Sequence, residues 1–482
     1  MNKSTPPTVI IGGGFVGLFT ALHLSHRHYS DPVILIDPQD RFVFKPLLYE
    51  YLTAEMQDEQ VLPRYEELLS GSKVAFVRDR VINIDLEQSK VELASGLHYD
   101  YRYLVLGVGS TQGYFNTEGA KENAFAFRTQ EDAVKLEKHL RECLQKASQT
   151  EDAQDRWSLL TFTVTGAGPS GVEMAATLAD LLPSWYAKLG GDINDLRIVI
   201  VNHGEEILSG DVNAHLQTTA LEAFKHRTVP VELLLGVKVT AVDSGGLKYQ
   251  AKDRDEIETL ATKTTIWTAG TANNPLIESL TQIKAENKDK HGLPLVTPTL
   301  QLPDYPQVFA AGDCAIVKDH PFPPVAQIAY QQGAGIARNI IALSQGKEPL
   351  PVKASMRGTL MKLGLGNGVA NLFDKLEVKG KPGDLIRNAT YLEMLPTPAH
   401  NFKATTEWLT DEIFHHHAPQ AVKNSEEASR SSQAASVAGG LLTSWISGTV
   451  VAIAIIAGSY LGWRIIQPSP QQQPTPEQNT SQ

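Results

Sequence analysis

The sequence carries the same short unit twice, and this repetition constrains the fold more than any other feature. The first unit begins TVIIGGG and continues to VILID. The second unit lies 154 residues further on, begins FTVTGAGPSG and continues to RIVIVN. An apolar run that enters glycines, a helical pattern and a second apolar run together describe a βαβ unit. Because such units build parallel sheets covered by helices, the repetition predicts an α/β protein with two related domains.

The glycines of the first unit are spaced Gly12-x-Gly14-x-x-Gly17, and Asp37 ends the next predicted strand 20 residues after Gly17. Glycines at this spacing allow a tight turn and let the backbone approach a pyrophosphate at a helix N-terminus. A carboxylate at the end of the second strand accepts hydrogen bonds from a ribose diol. The motif therefore predicts a Rossmann-like, dinucleotide-binding domain, although a glycine turn used only for packing is the alternative.

The second unit repeats the glycine spacing with Gly166, Gly168 and Gly171, but Asn202 stands where the acidic residue is expected. Asparagine can hydrogen-bond a ribose hydroxyl, yet it lacks the charge that would repel a 2′-phosphate. No arginine follows closely, so the sequence decides for neither NADH nor NADPH. Two dinucleotide sites in one chain predict a nicotinamide donor and a flavin that receives its hydride.

One segment of the chain is typical of a membrane span. Residues 437–463 are 27 residues without a charged side chain, roughly 40 Å as a helix, and Trp445, Tyr460 and Trp463 lie towards its ends. We expect a single transmembrane helix here, so that the protein binds the lipid bilayer. Residues 418–436 are predicted to be a linker, and residues 464–482 a disordered tail.

The flanks of this segment predict its orientation. The N-terminus has no signal-peptide pattern, and Lys423 and Arg430 precede the span whereas only Arg464 closes it. We therefore expect a membrane protein with a single-pass C-terminal anchor and its catalytic unit on the cytoplasmic side. Small residues recur at every fourth position of the span, which makes a homodimer possible; they include Gly440, Ser444, Gly448 and Ala452.

Charge and cysteine content exclude several other classes of protein. With 43 Lys and Arg against 54 Asp and Glu, the net charge of −11 disfavours nucleic acid as a partner. Cys143 and Cys314 form no CxxC or CxxxxC motif, so neither a dithiol redox centre nor a zinc site is supported. The three consecutive histidines, His415 to His417, point in different directions on any regular element, and we expect no metal.

Further segments resemble the flavoprotein superfamily that binds two dinucleotides. YLVLGVGS, with Gly107 and Gly109, is similar to the strand and turn that close the first FAD segment. TIWTAG, which ends at Gly270, is similar to its counterpart after the nicotinamide domain. VFAAGDCA resembles the late flavin motif, in which Gly312 and Asp313 would bind the ribityl and pyrophosphate region.

Within that superfamily the chain resembles the type II NADH dehydrogenases, which are single-subunit, non-pumping NAD(P)H:quinone oxidoreductases. FKPLLYE, with Lys45, is similar to the family's loop beside the flavin, and GPSGVE places Glu173 where the family has a glutamate implicated in proton delivery. PPVAQIAYQQG is similar to the family's quinone motif, so Gln327 and Gln331 would contact the quinone. Lys379 lies near the place of a family lysine close to the quinone pocket. The alternatives are a plain surface lysine at Lys379 and, at Glu173, an acid that only interacts with the helix dipole.

The two glutamines also fit this chemistry on physical grounds. Four residues apart on a helix, Gln327 and Gln331 present their amides on one side and could donate to a quinone carbonyl. A solvated helix surface is the alternative. A sulfide:quinone oxidoreductase or a disulfide reductase, which share the fold, would need a thiol pair beside the flavin, and only Cys314 lies near it.

The resemblance implies nested domains. We expect two Rossmann-like dinucleotide-binding domains, for FAD and for NADH or NADPH, a C-terminal region and the transmembrane helix. The predicted boundaries are 1–115 and 276–350 for the two FAD segments, 116–275 for the NAD(P)H domain and 351–417 for the C-terminal domain. Two alternatives remain: a biosynthetic naphthoquinone reductase similar to the demethylphylloquinone reductases, and a flavin-binding scaffold or signalling protein that resembles apoptosis-inducing factor.

Overall fold

The computed structural model describes residues 5–210, 214–356, 358–372 and 376–397, together with 401, 404–406 and 408. The predicted linker, membrane span and tail, and His415 to His417, lie outside the described residues. Within the described part of the chain, no helix has the length and apolar character that a membrane crossing requires.

The first segment forms the larger part of a parallel sheet. Its elements are β1 (Thr8–Ile11), α1 (Phe15–His26), β2 (Val33–Asp37), a 3-10 turn (Lys45–Leu47), α2 (Leu48–Leu52), α3 (Asp58–Val61), α4 (Tyr65–Leu68), β3 (Val74–Arg78), β4 (Val81–Asp85), β5 (Lys90–Leu93), β6 (His98–Asp100), β7 (Tyr103–Leu106) and β8 (Thr111–Gln112). β1 pairs in parallel with both β2 and β7. Every residue of β1 and β7 is buried, as expected for strands covered on both faces.

The second segment repeats this arrangement on a sheet of its own. Its elements are α5 (Ala120–Asn123), α6 (Gln130–Ala147), α7 (Ala153–Leu160), β9 (Thr161–Thr165), α8 (Pro169–Lys188), a 3-10 turn (Ile193–Asp195), β10 (Arg197–Val201), α9 (Ala214–Lys225), β11 (Val231–Leu234), β12 (Val237–Asp243), β13 (Gly246–Ala251), β14 (Ile257–Ala261), β15 (Thr264–Trp267) and β16 (Thr271–Ala272). The parallel sheet has the order β11-β10-β9-β15, and β12, β13 and β14 form an antiparallel meander. β9, like β1, runs directly into the glycines that begin a helix.

The chain then returns to the first sheet. The elements of this part are α10 (Pro275–Glu278), a 3-10 turn (Ala285–Asn287), β17 (Leu295–Val296), β18 (Gln301–Leu302), β19 (Tyr305–Ala310), a 3-10 turn (Gly312–Cys314), β20 (Ile316–Val317) and α11 (Ala326–Ser344). β19 pairs in parallel with β7, which completes the six-stranded order β18-β19-β7-β1-β2-β3. α11 packs closely on α1, where the Thr20 hydroxyl donates to the carbonyl oxygen of Gly333 at 3.1 Å.

A small antiparallel sheet follows and is covered by a helix. Its elements are β21 (Gly358–Lys362), β22 (Gly368–Leu372), β23 (Leu376–Lys379) and α12 (Gly380–Glu393). The strand order is β21-β22-β23. One hydrophobic core surrounds the first sheet, and Tyr391 and Leu392 of α12 belong to it. A second core surrounds β9 and β10 and includes Met361 of β21, so this small sheet packs against both larger units.

The α/β class predicted from the repeated unit is confirmed. The first sheet is parallel except for its edge strand β18, the second is parallel, and each contains a strand that leads through a glycine turn into a helix. The finer prediction of the domain boundaries stays a prediction, as does the membrane helix.

The third glycine of each turn is fixed by backbone packing. A Cβ atom at Gly17 would overlap the carbonyl oxygen of Gly12, and one at Gly171 would overlap that of Gly166. The second glycine of each turn behaves differently. A Cβ at Gly14 would come no closer than 3.9 Å to another part of the protein, and one at Gly168 would meet nothing within 4 Å. The fold therefore requires the third glycine but not the second.

This difference predicts opposite effects of two alanine substitutions in one turn. Gly171→Ala should lower the free energy of unfolding by about 1–3 kcal/mol or more, because a buried backbone carbonyl cannot move aside cheaply. Gly168→Ala, at a position with φ −74°, should cost less than ~1 kcal/mol. Denaturant unfolding of both variants measures the difference, and equal losses would contradict this account of the turn.

Candidate active site

The first glycine turn lies where β1 meets the N-terminus of α1, and Asp37 reaches it from the end of β2. Asp37 Oδ2 accepts a hydrogen bond from the N–H of Gly13 at 2.6 Å, and Oδ1 accepts one from the N–H of Gln39 at 2.8 Å. Burial raises the pKa of Asp37, although both hydrogen bonds favour its ionised form. The predicted acid therefore stands at the glycine turn, as a ribose-binding carboxylate must.

The neighbouring turn after β7 completes a concave backbone surface. A Cβ at Gly12 would lie 2.6 Å from the carbonyl oxygen of Gly107, so the two turns touch. Gly109 has a left-handed φ of +63°, and a Cβ there would meet nothing within 4 Å. The open space at Gly14 and Gly109, next to a helix N-terminus, is the space that an anionic pyrophosphate needs.

Charged side chains gather beside this surface. Ser110 Oγ donates to Asp313 Oδ2 at 2.9 Å, and Arg128 Nη2 donates to Ser110 Oγ at 2.9 Å. The surrounding protein and the charge of Arg128 lower the pKa of Lys45, while Asp313 opposes the change. Two cations and one carboxylate at the glycine turns suit a phosphate-containing cofactor such as FAD.

The turn that contains Asp313 is tied to α11. Gly312 has a φ of +71°, and its N–H donates to the buried Gln332 Oε1 at 2.9 Å. Gly312 and Gln332 also line a pocket with Phe322 and Ala329, at the start of α11. Residues of the late flavin motif and of the predicted quinone motif therefore line the same pocket.

The second glycine turn mirrors the first in its hydrogen bonds. Asn202 Oδ1 accepts from the N–H of Ala167 at 3.1 Å, as Asp37 does from Gly13. Its Nδ2 donates to the carbonyl oxygens of Gly204 at 3.1 Å and Glu206 at 3.2 Å. Asn202 thus occupies the place of the acidic residue without its charge, next to the turn formed by Gly166, Gly168 and Gly171.

Gly270 follows β15 and lies close to the same turn. A Cβ at Gly166 would come within 2.9 Å of Ala269, the residue before Gly270. Gly270 itself has a φ of +73°, and the ring of Phe115 fills the space where its side chain would be. All the nicotinamide-site positions predicted from the sequence therefore cluster at the carboxyl ends of β9, β10 and β15.

The two glutamines of the predicted quinone motif bind a neighbouring backbone segment. Gln327 Nε2 donates to the carbonyl oxygen of Gly358 at 3.0 Å. Gln331 Nε2 donates to that of Ser355 at 2.9 Å, and Gln331 Oε1 accepts from the N–H of Ser355 at 3.2 Å. The two side chains do share one side of α11, and in this structure that side holds the chain that leads into β21.

Glu173 lies near the start of α8, where three parts of the fold meet, and 13% of its side chain is exposed. Its Oε1 accepts from the backbone N–H of Lys362 in β21 at 2.8 Å and lies 3.8 Å from Arg387 Nη2 in α12. Burial raises the pKa of Glu173 to about 7, and the charge of Arg387 limits the rise. A carboxyl that titrates near neutral pH can both give and take a proton under working conditions.

Glu173 borders an ionic cluster, which we define as Glu50, Glu55, Lys362, Asp384 and Arg387; all of its members except the partly exposed Glu55 are buried. Glu50 Oε1 accepts from Lys362 Nζ at 3.0 Å and from Arg387 Nη1 at 2.6 Å. Lys362 Nζ also lies 2.6 Å from Glu55 Oε2. Burial alone would raise the pKa of Glu50, but Arg387 and Lys362 together lower it. Removing one partner from such a pair leaves an uncompensated charge, so the cluster holds its members in place.

Lys379 lies elsewhere. Its Nζ pairs with Glu377 Oε1 at 2.9 Å, and it lines a cleft with Thr218, His226 and other residues next to α9. Two other basic residues lie beside Glu173: Lys362, through its backbone N–H, and Arg387, through its guanidinium group. The resemblance implied Lys379, but spacing along the chain does not show which lysine of the C-terminal region lies next to Glu173.

Sequence reasoning missed the ionic cluster, Arg128 and Gln332. Glu50 belongs to the FKPLLYE segment that was singled out, but its partners lie 312 and 337 residues away. The only local signal was an acidic residue inside an otherwise apolar helix, α2, where burial of a carboxylate demands a cation.

Neither cysteine has a disulfide partner: Cys143 and Cys314 are both buried and free. Across the residues that the structure describes, no group of three or more His, Cys, Asp or Glu side chains is arranged to hold a metal ion.

Comparison with known proteins agrees with this geometry. Residues 6–333 match the pyridine nucleotide-disulphide oxidoreductase family. The demethylphylloquinone reductase NdbB of Synechocystis sp. is 32% identical over 425 residues, which are 85% of this chain and 97% of that protein. The alternative NAD(P)H-ubiquinone oxidoreductase C1 of Arabidopsis thaliana is 30% identical, over 84% of this chain and 81% of that protein.

A solved structure, NDH2 from Plasmodium falciparum in complex with NADH, has the same fold. It superposes with a TM-score of 0.76 and 18% identity, over 85% of this chain and 99% of that one. The predicted resemblance to the type II NAD(P)H:quinone oxidoreductases is confirmed, and the chain belongs to the pyridine nucleotide-disulphide oxidoreductase family.

Proposed function

We propose that this protein is an FAD-dependent NAD(P)H:quinone oxidoreductase. The observation that carries the proposal is the pair of glycine turns. In each turn the second glycine has open space beside it, and the packing of the fold does not require a glycine there. One turn has a carboxylate and the other a neutral amide in the ribose position. Relatives named as quinone reductases, matched over most of their length, support the same activity.

The residues divide between two cofactors. Bound FAD supplies a carrier that accepts a hydride and passes two electrons on. The residues that would hold FAD are Gly12, Gly14, Gly17, Asp37, Lys45, Gly107, Gly109, Gly312 and Asp313. We add Arg128 because it donates to Ser110, which in turn donates to Asp313. The residues that would hold NADH or NADPH are Gly166, Gly168, Gly171, Asn202 and Gly270.

In this proposal Glu173 supplies the second proton that the reduction of a quinone to a quinol requires. A quinone takes up two electrons and two protons to become a quinol, whereas a hydride carries two electrons and one proton. The remaining proton must come from water through the protein, and in this proposal the Glu173 carboxyl gives it; the raised pKa of this largely buried acid supports the role. Since this carboxyl is protonated below about pH 7, proton delivery should weaken as the pH rises through that value.

In this proposal the two glutamines form part of the wall of the quinone site and orient the neighbouring chain. Gln327 and Gln331 hold the chain at Ser355 and Gly358 against α11, which shapes the side of the quinone site. Beside Glu173 lie the backbone N–H of Lys362 and the guanidinium group of Arg387, so this proposal gives these two residues the place that the resemblance gave to Lys379.

A second candidate function is reduction of a naphthoquinone on a biosynthetic path. The specific observation in its favour is the 32% identity to a demethylphylloquinone reductase. Kinetics of the purified protein with a naphthoquinone and a benzoquinone would separate the two candidates.

Membrane attachment is also part of the proposal. Residues 437–463 would anchor the enzyme as one transmembrane helix, with the catalytic unit on the cytoplasmic side and a possible homodimer through the small residues of that helix. The length of the uncharged run and the position of its aromatic residues support this topology.

The first test is cofactor content and turnover of the purified full-length protein. It should be yellow, carry one FAD per chain and oxidise NADH or NADPH with a short-chain quinone. Asp313→Ala should lose most of its flavin, because the Ser110, Arg128 and Asp313 arrangement is broken. Asp319→Ala, on the loop that follows, is the matched control and should keep it. A folded wild-type protein that takes up no FAD would rule out the proposal.

Nucleotide choice gives a second test. With the neutral Asn202 at the ribose, NADH and NADPH should differ by less than about tenfold in kcat/KM, or ~1.4 kcal/mol. Asn202→Asp keeps an acceptor for the N–H of Ala167 and adds a charge, so it should shift the ratio towards NADH. A thousandfold preference of the wild type for NADH would show that Asn202 has been misinterpreted.

Deletion of residues 437–482 tests the anchor. The truncated enzyme should appear in the soluble fraction and still reduce a short-chain quinone, but work poorly with a quinone confined to vesicles. Cell fractionation and assays with both quinones measure this. Truncated protein that stays with the membrane at full activity would argue against anchoring by this segment.

A further inference from the structure

Arg387 has two carboxylates within reach and engages them unequally. It is fully buried in α12, and its Nη1 lies 2.6 Å from Glu50 Oε1. Its Nη2 donates to the carbonyl oxygen of Pro46 at 2.7 Å and lies 3.8 Å from Glu173 Oε1. The short, charge-assisted hydrogen bond therefore goes to Glu50, and Glu173 receives only the longer contact.

The charges of the cluster explain why the unequal contacts of Arg387 matter for Glu173. Lys362 and Arg387 carry two positive charges, and Glu50 and Glu55 carry two negative charges at hydrogen-bond distance from them. The near neutrality of these four groups leaves Glu173 and Asp384 without a cation of their own. Burial accordingly raises the pKa of Glu173 to about 7 and that of Asp384 to about 6.

We propose that Glu50 is a positioning residue that occupies Arg387 and thereby withholds the charge of Arg387 from Glu173, the group proposed to supply a proton to the quinone. This inference rests on the proposed function. If Glu50 lost its charge, the uncompensated positive charge of Arg387 would stabilise the carboxylate form of Glu173. Glu173 would then release its proton at a lower pH. Glu50 lies in α2, next to the loop predicted to border the flavin, so one short segment would serve both the cofactor and the proton donor.

The other groups that face Glu173 do not give the same control. Lys362 of β21 offers its backbone N–H, while its ammonium group is held by Glu50 and Glu55. Tyr49 of α2 and Tyr391 of α12 are buried, with pKa values raised by burial, and stay neutral. Within the described residues, Glu50 is thus the carboxylate that competes directly with Glu173 for Arg387.

Glu50→Gln and Glu55→Gln form a matched pair that tests the inference. Both remove one negative charge from Lys362, but only Glu50→Gln also frees Arg387. The carboxyl stretch of Glu173, assigned by its loss in Glu173→Gln, can be titrated by infrared difference spectroscopy in the FAD-loaded protein without quinone. Glu50→Gln should lower the pKa of this carboxyl by about one unit or more, and Glu55→Gln by less than half as much.

The alkaline limb of the kcat profile for quinone reduction should move with the carboxyl titration. If Glu50→Gln does not fold, Glu50→Asp keeps the charge, withdraws it from Arg387 by one methylene and should shift the titration in the same direction by less. An unchanged titration in the folded Glu50 variant, or an equal shift in Glu55→Gln, would overturn the inference. A wild-type protein that reduces no quinone would instead overturn the proposed function, because the titration is measured without quinone.

Discussion

The hydrogen-bonded ion pair between Glu50 and Arg387 connects parts of the chain that are 337 residues apart. Glu50 follows the loop beside the first glycine turn, and Arg387 belongs to the helix that covers the small C-terminal sheet. Through Lys362 the same pair fixes β21 against α8, which carries Glu173. Buried charges are costly unless they are paired. The three units must therefore assemble around this cluster, and Glu173 acquires its environment only when they have done so.

The glycine turns and the ionic cluster solve different problems. The turns expose backbone N–H groups and leave space, which suits a large anionic cofactor whose phosphates need donors. The cluster does the opposite, since it encloses charges and pairs the cations Lys362 and Arg387 with the carboxylates of Glu50 and Glu55. A site that binds two nucleotides at open turns and keeps one titratable acid in a closed, balanced environment is suited to moving electrons and a proton together.

Sequence reasoning reached the local features. A strand, a glycine turn and a helix are set by neighbouring residues, and Asp37 and Asn202 hydrogen-bond the two turns that this pattern predicts. Their role in binding a ribose stays a prediction. The partners of Glu50 could not be predicted in this way, because residues 312 and 337 positions away along the chain leave no periodic pattern in the sequence. The glutamines show the same limit: spacing predicted that Gln327 and Gln331 share a helix side, but their partners at 355–358 depend on how the following segment packs.

The most direct test of the central claim separates the two halves of the reaction. In an anaerobic stopped-flow experiment, NADH or NADPH should bleach the flavin absorbance of the purified enzyme. A quinone mixed with the reduced enzyme should then restore it at a rate at least as fast as turnover. Flavin that is reduced by the nucleotide but stays reduced in the presence of quinone would contradict the account.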